Sequence, residues 1–220
     1  MLRKKGKLIV IDGTDGSGKA TQTELLVKRL KEHSVQVRTL DFPQYEGNFF
    51  GSLLSRCLHG AYGKFSELDP HITSVLYATD RFESKKKIER WIKQGMVVML
   101  DRYVSANQIH QGGKIANIKK RGEFLQWLDT MEYKIFGIPR PDAVVYLSVP
   151  VDFSVQLLNA ERKKTDMVES DRMYLENSAK SAEWLCRRYK WNKISCVRNG
   201  LLKSIEEIHE EIFSTVKVYL

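Results

Sequence analysis

Gly13-Thr14-Asp15-Gly16-Ser17-Gly18-Lys19-Ala20-Thr21 carries the spacing Gly-x-x-x-x-Gly-Lys between an apolar run and a helical pattern. Glycines at these places let the backbone curl so that successive N–H groups face one point, a cradle for phosphate. Lys19 adds a cation, and a helix beginning there adds the positive end of its dipole. The context supports this reading. Leu8-Ile9-Val10-Ile11 precedes the loop as a buried strand would, and Leu25, Leu26 and Leu30 follow it at helical spacing. A glycine turn that merely joins strand to helix is the bland alternative. One position is off pattern: Ala20 stands where a Ser or Thr hydroxyl normally meets Mg2+, and Thr21 lies one position further along the helix. Magnesium would then be held through water or by carboxylates.

Outward from this loop, short runs rich in Val, Ile and Leu recur at Lys7–Ile11, Val35–Leu40, Met96–Leu100, Ala143–Leu147 and Lys193–Val197. Continuous apolar runs of this length are typical of strands covered on both faces. Helical segments are expected between them, at Lys19–Glu32, Asn48–His59, Ile72–Gln94, Phe124–Phe136, Asp152–Glu161, Asp171–Arg188 and Lys203–Tyr219. Strand–helix alternation predicts a three-layer α/β/α sandwich with a five-stranded parallel sheet, and the phosphate loop at the first strand end makes it a P-loop NTPase architecture. Repeats, low-complexity stretches and linker-like shifts are missing from the sequence, so residues 1–220 are expected to form one P-loop domain. Such sheets bind ligands beyond the carboxyl ends of their strands.

The third run ends in Asp101-Arg102-Tyr103. A carboxylate at the end of a buried strand is what a P-loop enzyme uses to hold Mg2+ or its water shell, so Asp101 is the candidate metal ligand. Arg102 would face the same crevice and grip a phosphate with its fork of donors. An ion pair with no ligand is the alternative for this acid and base.

Bulk composition narrows the classes. The chain has 220 residues, 36 Lys and Arg against 27 Asp and Glu, and a net charge of +9. That charge suits a polyanion, either nucleotide or nucleic acid, or simply a solvated lysine-rich surface. No apolar run approaches the ~20 residues of a membrane span, and Leu2-Arg3-Lys4-Lys5-Gly6-Lys7 does not open a signal peptide. No membrane partner and a cytoplasmic location are expected. Cys57, Cys186 and Cys196 are too few and scattered for a disulfide framework or a zinc site.

In their order, these and further motifs resemble the thymidylate kinase family over nearly the whole chain. They comprise the phosphate loop with its embedded Asp15, then Asp41-Phe42-Pro43 and Leu76-Tyr77-Ala78-Thr79-Asp80-Arg81-Phe82. After these come Asp101-Arg102-Tyr103, then Gln108 with Gln111-Gly112-Gly113, and the basic stretch Arg162-Lys163-Lys164. The resemblance implies ATP-dependent phosphorylation of thymidylate (dTMP) to its diphosphate, with ATP and Mg2+ as cofactors, no nucleic-acid partner and a homodimeric state. It assigns Lys19, Asp15 and Arg102 to catalysis, with Asp15 approaching the substrate's 3′-hydroxyl. The loop from Gly13 to Thr21 would bind the donor nucleotide, with Arg162, Lys163 and Lys164 from a lid at about 162–171. Phe42, Pro43, Tyr103 and Gln108 would contact the acceptor, while Tyr77 would stack on thymine and Arg81 bond the base. Tyr77 and Arg81 are four residues apart, one face of a helix.

Some positions depart from the family pattern. Gln44 and Tyr45 follow Phe42-Pro43 where members usually carry an Arg for the substrate phosphate, and Ala106 stands where many have Ser. Arg56 or Lys114 could substitute. These departures keep open a kinase for another pyrimidine nucleotide, or a catalytically weakened nucleotide-binding protein. A basic nucleic-acid binder ranks last, because no recognition motif accompanies the charge.

Overall fold

Along β1 (Lys7–Gly13) successive side chains enter two different apolar layers, Leu8 and Val10 one, Ile9 and Ile11 the other. β3 (Val97–Asp101) and β4 (Ala143–Ser148) do the same, which is why their sequences are apolar throughout rather than alternating. These features come from a computed structural model that describes residues 5–160 and 172–220. With β2 (Val37–Asp41) and β5 (Asn192–Ser195) these strands form a five-stranded sheet in the order β2-β3-β1-β4-β5, every pair parallel.

Helix α1 (Lys19–Glu32) and the last helix, α8 (Ile205–Lys217), cover one face through Leu26, Leu30, Ile208, Ile212 and Val216. The other face is covered by α3 (Pro70–Lys93), α4 (Val104–Gly113), α5 (Ile118–Asp129) and α7 (Arg172–Tyr189). α2 (Phe49–Leu58) lies against α3 over a small cluster of Leu54, Cys57 and Phe65, and α6 (Val151–Ala160) follows β4. The expected three-layer sandwich is therefore present.

Topology sets the place of the site. From β1 the chain crosses to β2 on one side, whereas from β3 it crosses to β4 on the other. The carboxyl ends of β1 and β3 thus diverge at a switch point, where open α/β sheets bind ligands. Register brings Ile11, Asp41 and Asp101 level with one another, so three strand ends open side by side.

The structure differs from the sequence expectation in several places. α4 has no counterpart among the expected helices. Its buried residues include Ser105, Asn107, Gln108, His110 and Gln111, so no apolar stripe announces it. The helix expected at Phe124–Phe136 becomes α5 followed by a π-helical turn, Thr130–Ile135. The run expected at Lys193–Val197 ends as β5, and a short hairpin of β6 (Val197–Arg198) and β7 (Leu201–Leu202) follows. The expected lid, with Arg162, Lys163 and Lys164, lies outside the described residues. The three cysteines are free and buried, and burial pushes the Cys186 thiol up to about 12 and that of Cys196 to about 11.

Leu26 is fully buried between α1 and the sheet. Leu26→Ala is expected to lower the unfolding free energy by about 2–5 kcal/mol in urea titration. Lys28→Ala, on the exposed side of the same helix, should change it by no more than about 0.5 kcal/mol. Equal effects would contradict the placement of α1.

Candidate active site

β1 delivers the phosphate loop to the crevice, and two of its glycines take backbone conformations that other residues resist. Gly16 has φ +73°, and a Cβ there would come within 2.5 Å of the Ser154 carbonyl oxygen on α6. Gly18, at φ +77°, is the residue that starts α1. Lys19 folds back so that Nζ donates to the Thr14 carbonyl at 2.9 Å and lies 3.9 Å from Asp15 Oδ1. Beneath the loop, buried Asp12 accepts from its neighbour's amide at Gly13 (2.8 Å) and from Ser105 Oγ (2.5 Å), which ties β1 to α4.

From β3 the chain turns sharply at Arg102, whose φ of +62° is unusual for a residue with a side chain. Its amide donates to the Ile11 carbonyl at 3.0 Å, pinning the turn to β1. The guanidinium Nη2 donates to Asp15 Oδ1, so the acid of the phosphate loop and the arginine of the third strand form a half-buried pair. Burial alone would raise the Asp15 carboxyl, but Arg102 and then Lys19 hold it well below the usual carboxylate range. Lys19 shifts down, because burial and the nearby Arg102 outweigh Asp15, Asp101 and Asp12. The carboxyl of Asp101 is raised by burial, against the pull of Lys19 and Arg102.

A cavity of about 440 Å³ extends from this charge cluster. The loop from Asp15 to Thr21, Asp101 and Arg102 line one end, and Phe42, Pro43, Tyr77 and Arg81 also border it. The Phe42–Pro43 peptide is cis. Helix α4 contributes Asn107 and His110, two lining residues that the sequence reading missed, and Gln111, which it quoted only within a motif, with Lys114 just beyond. Gln44 turns away, its amide donating to the Asp41 carbonyl and carboxylate at 2.7 and 2.8 Å, while Tyr45 borders the cavity. Of the two substitutes for the missing arginine, Lys114 reaches the cavity; exposed Arg56 lies over the Tyr62 ring.

Four of the expected site residues do not line this cavity. Tyr103 is buried in the core against Phe42, and its hydroxyl donates to the Pro139 carbonyl at 3.1 Å. Gln108 sits one residue past Asn107, about 100° around the helix, and faces a separate small pocket with Tyr103. Gly13 and Thr14 lie beneath the cavity rather than on its wall, although the Thr14 carbonyl holds Lys19.

Arg81 is buried, and its Nε and Nη2 donate to Glu132 at 2.9 and 2.5 Å. A third donor, on Nη1, reaches the Tyr103 carbonyl at 3.4 Å. A guanidinium has about five N–H donors, so some remain for a ligand. Asn107 Nδ2 donates to the Ser74 carbonyl (3.2 Å) and to Glu132 (3.5 Å). Both partners are acceptors only, which fixes the amide orientation and leaves Oδ1 as the acceptor. Several buried atoms of lining residues have no partner among the described residues: Ser17 Oγ, His110 Nε2 and Gln111 Oε1. Buried polar atoms are normally satisfied, so this grouping marks a wall shaped for a polar ligand.

Among the described residues no group of three or more His, Cys, Asp or Glu side chains could enclose a metal ion. Mg2+ that arrives on nucleotide phosphates needs only one or two carboxylates besides its waters. Asp101, a carboxylate at the phosphate end of the cavity, fits that donor set.

The sequence model of the family described as "Thymidylate kinase" matches residues 11–212. A thymidylate kinase of Plasmodium falciparum is 29% identical over 97% of this chain and 91% of its own length. A probable thymidylate kinase of Pyrococcus abyssi is 31% identical over 97% of both chains. A solved thymidylate kinase of Candida albicans covers 98% of this chain and 92% of its own with a TM-score of 0.76; at 19% identity the likeness is one of fold.

His110 gives this wall a measurable signature. Its ring stacks on Tyr174 at 5.6 Å, its Nδ1 lies 3.3 Å from Ser178 Oγ, and burial lowers its pKa to about 4. An unfolded histidine titrates near ~6.5, so between these values the unfolded chain binds the extra proton and stability falls as pH drops. Over that window the loss attributable to His110 is about 3 kcal/mol. Denaturation of wild type and His110→Gln at pH 7 and pH 4 should show the stability gap between them narrowing in favour of the variant. A gap independent of pH would contradict a buried, neutral His110.

Proposed function

This chain belongs to the thymidylate kinase family, and from that premise we propose that it transfers the terminal phosphoryl group of ATP to thymidylate in the crevice beyond β1 and β3. One observation carries the reading. A single cavity joins a phosphate-binding loop to a pair of side chains fixed as donor and acceptor. Thymine offers a carbonyl acceptor beside a ring N–H donor, whereas cytosine presents an amino group where that carbonyl would be. Arg81 meets the carbonyl and the Asn107 Oδ1 accepts from the ring N–H, so the same pair repels cytosine. Tyr77 and Phe42 supply aromatic surface for a flat base.

At the other end, the amides of the loop and the start of α1 cradle the donor phosphates, and Lys19 follows the migrating group. Phosphoryl transfer needs little covalent chemistry from the protein, so these groups work by position and charge. Asp15, held ionised by its cationic neighbours, can only accept hydrogen bonds. It takes one from the 3′-hydroxyl of the acceptor sugar, and Arg102, paired to Asp15, grips the acceptor phosphate. Asp101 would hold Mg2+, directly or through its waters, and the ion supplies charge neutralisation between phosphates.

A homodimer is the assembly this reading favours. Phe49, Phe82 and Ile135 are exposed, and they adjoin through Glu83, which accepts from the Phe49 amide at 3.0 Å, and through Phe136, 5.0 Å from Phe82. Exposed apolar patches of this kind mark interaction surfaces. Sedimentation would return the mass of one chain if the patch had another use. No described helix is long and apolar enough to cross a membrane, and soluble nucleotide substrates favour a cytoplasmic setting.

ADP release measured side by side with dTMP, dUMP, dCMP, AMP and GMP tests the function. Turnover should be highest with dTMP, and dCMP should fall behind by at least about a hundredfold in kcat/KM, the loss expected when buried polar groups face the wrong partners. A purine preference, or equal use of dCMP, would remove the base assignment. Arg102→Ala should weaken dTMP binding in calorimetry far more than ATP binding. Equal losses would place Arg102 between both nucleotides.

A further inference from the structure

Glu132 is fully buried, belongs to no motif, and does not border the cavity. Yet it is the residue that the two base-facing side chains share. Its Oε2 accepts from Arg81 Nε at 2.9 Å, and its Oε1 accepts from Arg81 Nη2 at 2.5 Å and from Asn107 Nδ2 at 3.5 Å. These three contacts join α3, α4 and the π-helical turn, three separate segments of the chain.

The turn itself explains the placement. α5 ends at Asp129, and the backbone then widens so that the Phe136 amide donates to Met131, five residues back, at 2.9 Å. Widening by one residue rotates the side chains within it relative to a regular helix. Met131 and Glu132 are the buried residues of the turn, whereas Ile135 is exposed. A widened turn is a local irregularity, and such irregularities concentrate where a side chain must be aimed.

We infer that Glu132 is a positioning residue for base selection, whose single carboxylate, through contacts with both side chains, sets the orientation of the Arg81 donors and helps keep Asn107 turned as acceptor. The carboxylate holds one edge of the guanidinium through two donors, Nε and Nη2, so the plane of Arg81 cannot rotate. It is also, beside the Ser74 carbonyl at 3.2 Å, the second acceptor-only partner of the Asn107 amide, and the two together disfavour a flip of that amide. Without the negative charge Arg81 is free to turn, and the Asn107 amide keeps only the Ser74 carbonyl to hold its orientation. The cavity would then separate a thymine edge from a cytosine edge less sharply. This inference rests on the proposed thymidylate site.

The test compares wild type with Glu132→Gln and Glu132→Asp for kcat and KM on dTMP, dCMP and ATP. Glu132→Gln should raise the KM for dTMP at least about tenfold and lower the dTMP-to-dCMP ratio of kcat/KM by at least about tenfold. Its KM for ATP should stay within about twofold, because the phosphate loop is untouched. Glu132→Asp, which keeps the charge, should recover part of the selectivity. A folded Glu132→Gln with unchanged selectivity overturns the inference. Wild type that does not favour dTMP over dCMP overturns the underlying site reading instead, which separates the two failures. If neither variant folds, the arginine Nε–H spectrum of wild type decides. A slowly exchanging Nε–H signal, lost in Arg81→Lys and present with and without dTMP, supports the clamp, and rapid exchange of that signal contradicts it.

Discussion

The carboxylate of Asp15 stands between two cations, Arg102 and Lys19, and each of the three is delivered by a different backbone device. Asp15 comes from the glycine-rich turn after β1, Lys19 from the first turn of α1, and Arg102 from a left-handed turn after β3. Placing three charges in a half-covered crevice is costly unless they compensate one another. The strand register that sets β1 beside β3 makes that compensation possible. Breaking the pairing would leave a buried carboxylate or a buried cation without a partner, so fold and site depend on the same contact.

What the sequence disclosed followed from the strength of its signals. Strands buried on both faces write continuous apolar runs, and β1, β3 and β4 were visible for that reason, whereas the edge strands β2 and β5 were marked only by Val37 and Leu40 and by Ile194. The phosphate loop was legible because its glycines and Lys19 serve the backbone directly. α4 was not, although it carries Asn107, His110 and Gln111 to the cavity. Sequence periodicity detects a helix with one apolar side, and α4 is buried on nearly all sides with polar residues in the interior. Only its spacing offered a clue: Asn107, His110 and Gln111 follow at three and four residues, one face of a helix.

The same limit explains Tyr103 and Gln108. Adjacent to true lining residues in sequence, they point elsewhere because neighbouring positions on a helix, or at its start, face different directions. Glu132 was invisible for a further reason. A lone acidic residue in a polar stretch is ordinarily solvated, and nothing local reveals that a π-turn carries it under Arg81. Gln44 is a departure that the structure accounts for: its side chain is occupied by Asp41, while Lys114 reaches the cavity where an added cation would serve.

One cavity, with the loop proposed to bind the donor at one end and the pair proposed to read the base, Arg81 and Asn107, at the other, is the core of this account. Its most direct test is calorimetric titration with a bisubstrate analogue, adenosine and thymidine joined through their 5′-positions by a chain of phosphates. The account predicts one molecule bound per chain, displaced by ATP and displaced by dTMP, and lost in Lys19→Ala. Displacement by only one of the two nucleotides, or two molecules bound per chain, would contradict a single shared crevice.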